Sequence, residues 1–368
     1  KIIKMTINQV ISTLEELAPT AYAEDFDNVG LLVGDKTAEV SGILVTLDTL
    51  EETIEEAIQE DCNLIVSFHP IIFKGLKKIT GKSYVERVIL KAIKHDIAIY
   101  AIHTALDNSF KGVNHQICEE IGLVNRQVLV PQPQTIKKLV AHVPHQNVEE
   151  VRDALFNAGA GSIGNYDDCS FNISGKGTFK ANEEANPTLG EIGKLHMEEE
   201  TQLHLTYPRH VESKVLKALF TTHPYEEVAY EITTLENKNQ QIGIGMMGEL
   251  PQAENEVEFL ERIKKTFHLK VIRHSKLLNK EIKKVAVLGG SGAFAIPNAK
   301  ALQADIYITA DLKYHDFYQA ENQLVLADIG HYESEQYTKN LLHSYLTKKF
   351  RNFAVVLSQK STNPIQYS

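Results

Sequence analysis

Positive charge is in deficit, cysteine is scarce and long apolar runs are absent. Lys and Arg number 38 against 48 Asp and Glu, a net charge of −10. That balance repels a polyanion unless basic residues gather on one face, so nucleic acid is a disfavoured partner. The three cysteines, Cys62, Cys118 and Cys169, are far apart and odd in number, which excludes a disulfide framework or a CxxC metal pair and fits a reducing compartment. No run of 18 apolar residues occurs, and the opening Lys1-Ile-Ile-Lys-Met-Thr-Ile-Asn lacks the apolar region of a signal peptide. The expectation is a soluble, cytoplasmic chain with no membrane partner.

What is present is enough apolar side chain for a sizeable core. A length of 368 residues with 43% hydrophobic and 23% charged content excludes a single small module, disorder and fibrous repeats. Behind Thr6 as N-cap, Ile7, Val10, Ile11, Leu14 and Leu17 mark one helical face, which Pro19 ends. Short β-branched runs follow at Ile43-Leu-Val-Thr-Leu, Leu64-Ile-Val-Ser and Ile97-Ala-Ile-Tyr-Ala-Ile, separated by amphipathic stretches at 51–60 and 84–95. That alternation is the pattern of buried parallel strands with helical crossovers. Residues 128–240 change character: Pro131-Gln-Pro-Gln opens a stretch with alternating strands near 137–143 and 201–207, helices near 147–158 and 210–221, and a Gly-rich middle. This reads as an α+β insert with an antiparallel sheet. From 241 the first pattern resumes, with strands at Lys284-Val-Ala-Val-Leu, Asp305-Ile-Tyr-Ile-Thr and Leu324-Val-Leu-Ala. The expected organisation is one α/β core domain, 1–127 and 241–368, split by the insert.

In an open α/β sheet the loops leaving strand carboxyl ends converge on one edge, where ligands bind. Three strand ends here carry histidine and carboxylate: Ser67-Phe68-His69-Pro70, His103-Thr-Ala-Leu-Asp107 and Asp328-Ile-Gly-His331-Tyr-Glu-Ser-Glu335. The four-residue spacing puts His331 and Glu335 on one helical face. An N/O ligand set without sulfur suits zinc, iron, manganese or another divalent first-row metal. Each piece alone has a plainer reading: a His-Pro turn at His69, a hydrogen-bonded strand end at His103, a helix cap at Asp107, a solvated pair at His331/Glu335. Asp311 and His315, after the strand at 305–310, are expected to reach the same edge, with an N-cap as the alternative for Asp311; together with His103 they are the candidates for moving a proton there. Gly289, Gly290 and Gly292 stand between a strand and a helix, where backbone N–H groups can hold a phosphate, although such turns are common without ligands. Asn28, in Asp25-Phe-Asp27-Asn28-Val-Gly30, is either a cavity-lining residue or part of a polar turn.

Phe26-Asp27-Asn28-Val29-Gly30-Leu31, Ser67-Phe-His-Pro-Ile-Ile-Phe-Lys, His103-Thr-Ala-Leu-Asp107, Leu288-Gly-Gly-Ser-Gly and Asp328-Ile-Gly-His-Tyr-Glu-Ser-Glu335 resemble the family of GTP cyclohydrolase I type 2 homologues, also called the Nif-three-like family. The resemblance covers both flanks in order. Residues 128–240, with Thr222-His-Pro-Tyr-Glu-Glu, resemble the ferredoxin-like PII/CutA-like insert of its longer bacterial members. It implies a two-lobed α/β core domain interrupted by that insert, a toroidal homo-hexamer, and a dinuclear metal centre held by His69, Asp107, His331 and Glu335, with the glutamate bridging. Phe68 departs from the family pattern, which has a second metal's histidine there. An aromatic ring cannot ligate such a cation, so one metal is expected to be held firmly by His69, Asp107 and Glu335. The second, left with His331 and Glu335, is expected to be weak unless His103 moves in. The function implied is a metal-dependent hydrolase acting on a nucleotide or related phosphorylated molecule. The alternative is non-enzymatic metal storage, delivery or regulation.

Overall fold

The computed structural model describes residues 5–368 and divides them into two units, one formed by the residues up to Pro131 and from Gln240 onward, the other by Gln132–Asn239. The first unit carries two sheets. In the five-stranded one the order is Gly30–Val33, Ala98–Ala101, Leu64–Ser67, Ile43–Thr46 and Val355–Leu357. Only the edge strand Gly30–Val33 runs antiparallel; the other four are parallel. The strands Ile43–Thr46, Leu64–Ser67 and Ala98–Ala101 are buried at every position, as unbroken apolar runs require when both faces are covered.

The crossover helices form for local reasons. In Tyr84–Lys94 the Ser83 side chain accepts from the Glu86 N–H, Glu86 lies in the first turn, and Lys91 and Lys94 complement the dipole at the last. Val113–Ile121 ends on Gly122, whose φ of +79° is a conformation that glycine adopts without a Cβ penalty.

The six-stranded sheet has the order Arg273–His274, Val325–Asp328, Ile306–Ala310, Glu281–Ser291, Gly243–Asn255 and Val124–Pro131. Its three central strands, Glu281–Ser291, Ile306–Ala310 and Val325–Asp328, are parallel. One contiguous core lies between the two sheets: Val45, Val66 and Tyr100 from the first belong to the same cluster as Val285, Ile308 and Ala327 from the second, with Ile117 and Leu342 from helices. Burying each such aliphatic side chain stabilises the fold by about 1.5–3 kcal/mol. Because parallel strands of both sheets end beside this shared core, their carboxyl-terminal loops face one another.

The second unit is a four-stranded antiparallel sheet, ordered Phe171–Lys180, Leu195–Pro208, Ile136–Pro144 and Tyr230–Thr234, with helices Val148–Asn157 and Glu212–Thr222. Alternate residues Leu139, Ala141 and Val143 and their counterparts Leu203, Leu205 and Tyr207 pack with Val151, Leu155, Val215 and Leu219 of the helices, as a period of two dictates for a half-covered sheet. Among the described residues no helix is long and apolar enough to cross a membrane.

Candidate metal centre

Strand ends of both sheets supply the first unit's polar cluster. His69 follows Leu64–Ser67, and His103 opens the short helix His103–Asp107 after Ala98–Ala101. His331 opens the helix His331–Glu335 after Val325–Asp328. His69, His331 and Glu335 each offer a ligand atom within 4.8 Å of the others. The two imidazoles converge on one carboxylate oxygen: Glu335 Oε2 lies 3.1 Å from His69 Nε2 and 3.3 Å from His331 Nε2. That oxygen is buried and accepts no hydrogen bond of good geometry, and the buried Asp107 Oδ1 likewise has no partner. Buried oxygens without partners are costly in a folded protein. A cation beside the Glu335 oxygen would remove that cost there; Asp107, expected as a ligand from the sequence, is not among the three residues whose ligand atoms cluster.

Each imidazole is oriented from its far side. His69 Nδ1 lies 2.8 Å from Asp48 Oδ1, His331 Nδ1 lies 2.6 Å from Asp311 Oδ2, and His103 Nδ1 lies 2.8 Å from Asp27 Oδ1. A carboxylate on Nδ1 fixes the tautomer and leaves Nε2 facing the centre. The orienting groups are held in turn: Thr362 donates to Asp48 Oδ2 (2.5 Å), Ser291 donates to Asp311, and Thr104 donates to Asp27 through its backbone N–H (3.0 Å) and its hydroxyl.

The electrostatics follow from this packing. Burial pushes the pKa of His69 down, but Asp48 and Glu335 together outweigh it and raise it to about 10. His331 is likewise pushed down by burial and raised, to about 9, by Glu335 and Asp311. Burial pushes Glu335 up, yet the contacts and charges of His331 and His69 hold it at about 2. Asp107 has no such compensation: burial and then the Glu335 charge drive it well above the carboxylate range. Protons on these groups would compete with a divalent ion for the same atoms.

Glycine makes room for the carboxylate. A Cβ on Gly290, whose φ is +70°, would come within 2.4 Å of Glu335 Oε1. The Gly289 N–H donates to Asn114 Oδ1 at 3.0 Å and the Gly290 N–H to Ser334 Oγ at 2.9 Å, so a phosphate there would compete with internal partners. A Cβ on Gly292 would collide with the hydroxyls of Thr309 and Tyr307.

The remaining sequence candidates fall as follows. Asp107 ends the helix His103–Asp107, and the next helix is capped at Gly112, so Asp107 is not that helix's N-cap. His103 has a φ of +24°, rare for a residue with a Cβ, and its ring centroid lies 5.3 Å from that of His69. His315 packs against Tyr314 and Tyr318. Asn28 donates to the Ile72 carbonyl at 2.5 Å. Phe68 is fully buried in the core, its centroid 4.8 Å from the His69 ring and 5.5 Å from that of His103. His69 and His331, which the resemblance assigns to different metals, face the same oxygen. Sequence reasoning missed Asp48 and Asp27, although Asp48 stands just past the strand Ile43–Thr46, where the strand-end rule points.

Known proteins resemble this chain over nearly its whole length. The model of the Duf34/NIF3 (NGG1p interacting factor 3) family matches residues 5–364. A Bacillus subtilis protein named GTP cyclohydrolase 1 type 2 homolog is 39% identical over 365 residues, covering 98% of each chain. Among solved structures, a Bacillus cereus protein related to NIF3 superposes with a TM-score of 0.86 at 38% identity over 99% of each chain. A Staphylococcus aureus structure gives a TM-score of 0.80 at 30% identity over the whole of both chains. The chain belongs to the Duf34/NIF3 family.

Proposed function

We propose that this protein binds a divalent metal, zinc, iron or manganese, at His69, His331 and Glu335 with Asp107 alongside, and acts as a metal-dependent hydrolase on a nucleotide or related phosphorylated small molecule. The observation that carries the reading is the pair of imidazole nitrogens, 3.1 and 3.3 Å from one buried carboxylate oxygen that neither meets with good hydrogen-bond geometry, with an orphaned oxygen on Asp107. The donors are nitrogen and oxygen only, which fits a borderline divalent cation. When bound, such a cation supplies polarisation of an acyl, phosphoryl or ring-carbon centre and activation of water at neutral pH.

The chain's own residues do the rest. Asp48 and Asp311 hold His69 and His331 in register. His103, fixed through Nδ1 by Asp27, presents Nε2 as the group that moves a proton at the reacting atom, and its unusual backbone angle agrees with a functional position. Asp311, hydrogen-bonded to His331, positions a ligand instead of serving as acid or base. The name of the Bacillus subtilis relative, GTP cyclohydrolase 1 type 2 homolog, supports a guanine nucleotide as the first substrate to try. The proposal extends to self-assembly, with a homo-hexamer as the expected form and a PII/CutA-like role for the insert. Exposed Phe26, Phe73, Phe294, Tyr314 and Tyr318 support burial between copies.

A second reading, metal storage or delivery without catalysis, draws on Phe68, whose buried ring removes a ligand from the second metal position. One experiment separates the two. Anaerobically purified protein is analysed for metal and loaded with zinc, iron or manganese, then screened with GTP and other nucleotides and phosphoesters, alongside His331→Ala. Retained metal and turnover lost in the variant support the hydrolase. Retained metal with no turnover, given up to a chelating acceptor within minutes, supports delivery. Equal metal content in wild type and His331→Ala overturns the centre itself.

A further inference from the structure

The second unit contains a cavity that the metal centre does not explain. It has a volume of about 280 Å³, just under the range of small-molecule sites, and lies wholly within residues 177–229. It forms on the sheet face opposite the helices. Leu203 and Leu205 point into the helix-covered core, so Glu200 projects the other way. In the register of Phe171–Lys180 against Leu195–Pro208, Gly175 stands opposite Glu200, Gly177 opposite Glu198 and Phe179 opposite His196. Cross-strand partners share a face, and the two glycines leave a trough there. The chain then builds walls over it: Thr188 Oγ1 donates to the Pro224 carbonyl (2.8 Å) and the Asn186 N–H to Glu226 Oε2 (3.0 Å).

The lining is mostly apolar, with Phe179, Ala185, Pro187, Leu189 and Tyr225 around the buried carboxylate of Glu200. Glu200 is 8% exposed. Its Oε1 accepts from the Tyr225 hydroxyl at 2.9 Å, whereas Oε2 receives no hydrogen bond from any described residue and is not sealed off. Oε2 lies where a Cβ on residue 177 would come within 2.2 Å of it, so the glycine is what admits the carboxylate to the trough. Glu226 and Glu227 add negative charge at the walls against the one cation, Lys180.

We infer that this cavity binds a small organic cation, an amine or amidine with a compact apolar or aromatic body, whose charged head donates to Glu200 Oε2 while its body packs on Phe179 and Tyr225. An almost buried carboxylate with one unused oxygen discriminates strongly for a charged donor, because a neutral isostere leaves that oxygen unpaired. An aromatic floor adds cation–π attraction.

The test uses the full-length chain, with phenethylamine and benzamidine as probes and 2-phenylethanol and benzamide as their neutral counterparts, by calorimetry or saturation-transfer NMR. The expected result is binding of the cations at least about tenfold tighter than the neutral pair. Glu200→Gln, nearly isosteric, should remove that preference while metal content and melting temperature stay those of wild type. Gly177→Val should abolish binding by filling the trough; should it fail to fold, Glu200→Gln still decides. Equal binding of charged and neutral probes, no binding of either cation at 10-fold above about millimolar concentration, or an unchanged preference in Glu200→Gln overturns the inference.

Discussion

Asp48 links three parts of the chain through two oxygens. One holds His69 Nδ1 and the other accepts from Thr362, near the end of the chain. Ligand-orienting carboxylates of this kind typically contribute 10- to 100-fold to metal affinity. Asp48→Asn is therefore expected to weaken metal binding about 10- to 100-fold with little change in secondary structure. Competition titration against a chelator measures it, and an affinity within threefold of wild type contradicts the role assigned to Asp48. At this scale the site was only partly legible in the sequence. His69, His331 and Glu335 stand at strand ends and could be found there. Asp48, although just past a strand end, and Asp27 carry no local sign of the histidines they orient, which are 21 and 76 residues away. The convergence of His69 and His331 on one oxygen is a tertiary fact that spacing does not encode.

Elements with a strong period were the most readable. The helices Ile7–Leu17, Glu51–Gln59 and Tyr84–Lys94 and the fully apolar strands lie where their patterns put them, since burial and periodicity reinforce each other. Among the strands that sequence reasoning missed, Gly30–Val33, Val124–Pro131 and Gly243–Asn255 owe their form to distant partners. Gly243 and Gly245, both at positive φ, break the local strand signal. In the insert, His223 ties the end of Glu212–Thr222 to the sheet: its Nε2 donates to the His142 carbonyl at 2.9 Å and its Nδ1 accepts from the Tyr225 N–H at 3.1 Å, an arrangement that requires the neutral ring. Burial, against the His142 hydrogen bond, pushes its pKa below the ordinary 6.5. As pH falls the unfolded chain then takes up this proton before the folded one does, so stability present above about pH 6.5 is lost below it. The melting temperature should fall between pH 8 and pH 5, and fall less in His223→Gln. Parallel pH profiles of the two proteins would refute the assignment.

For the whole molecule, the insert leaves and returns at neighbouring points. Pro131 and Gly243 are direct partners across the antiparallel pair Val124–Pro131 and Gly243–Asn255, and all the residues of the metal cluster belong to the first unit. Replacing residues 132–239 by a short Gly/Ser linker is expected to leave a folded core that still takes up metal. Loss of cooperative unfolding or of metal uptake in that variant would show the core to be dependent on the insert. A domain whose ends meet can be added or removed with little loop-closure cost.

The position of His69 on one sheet and His331 on the other has a further meaning for the chain as a polymer. The two residues come from opposite halves of the sequence, and an ion gripping both is a removable crosslink closing a very long loop. Because the ligand atoms meet only in the folded chain, such an ion would stabilise that state by its binding free energy, rising with free metal concentration. The shared apolar core already joins the two sheets, so on the proposed function a bound ion would add to that hold, and chelation is expected to lower the melting temperature without separating the sheets.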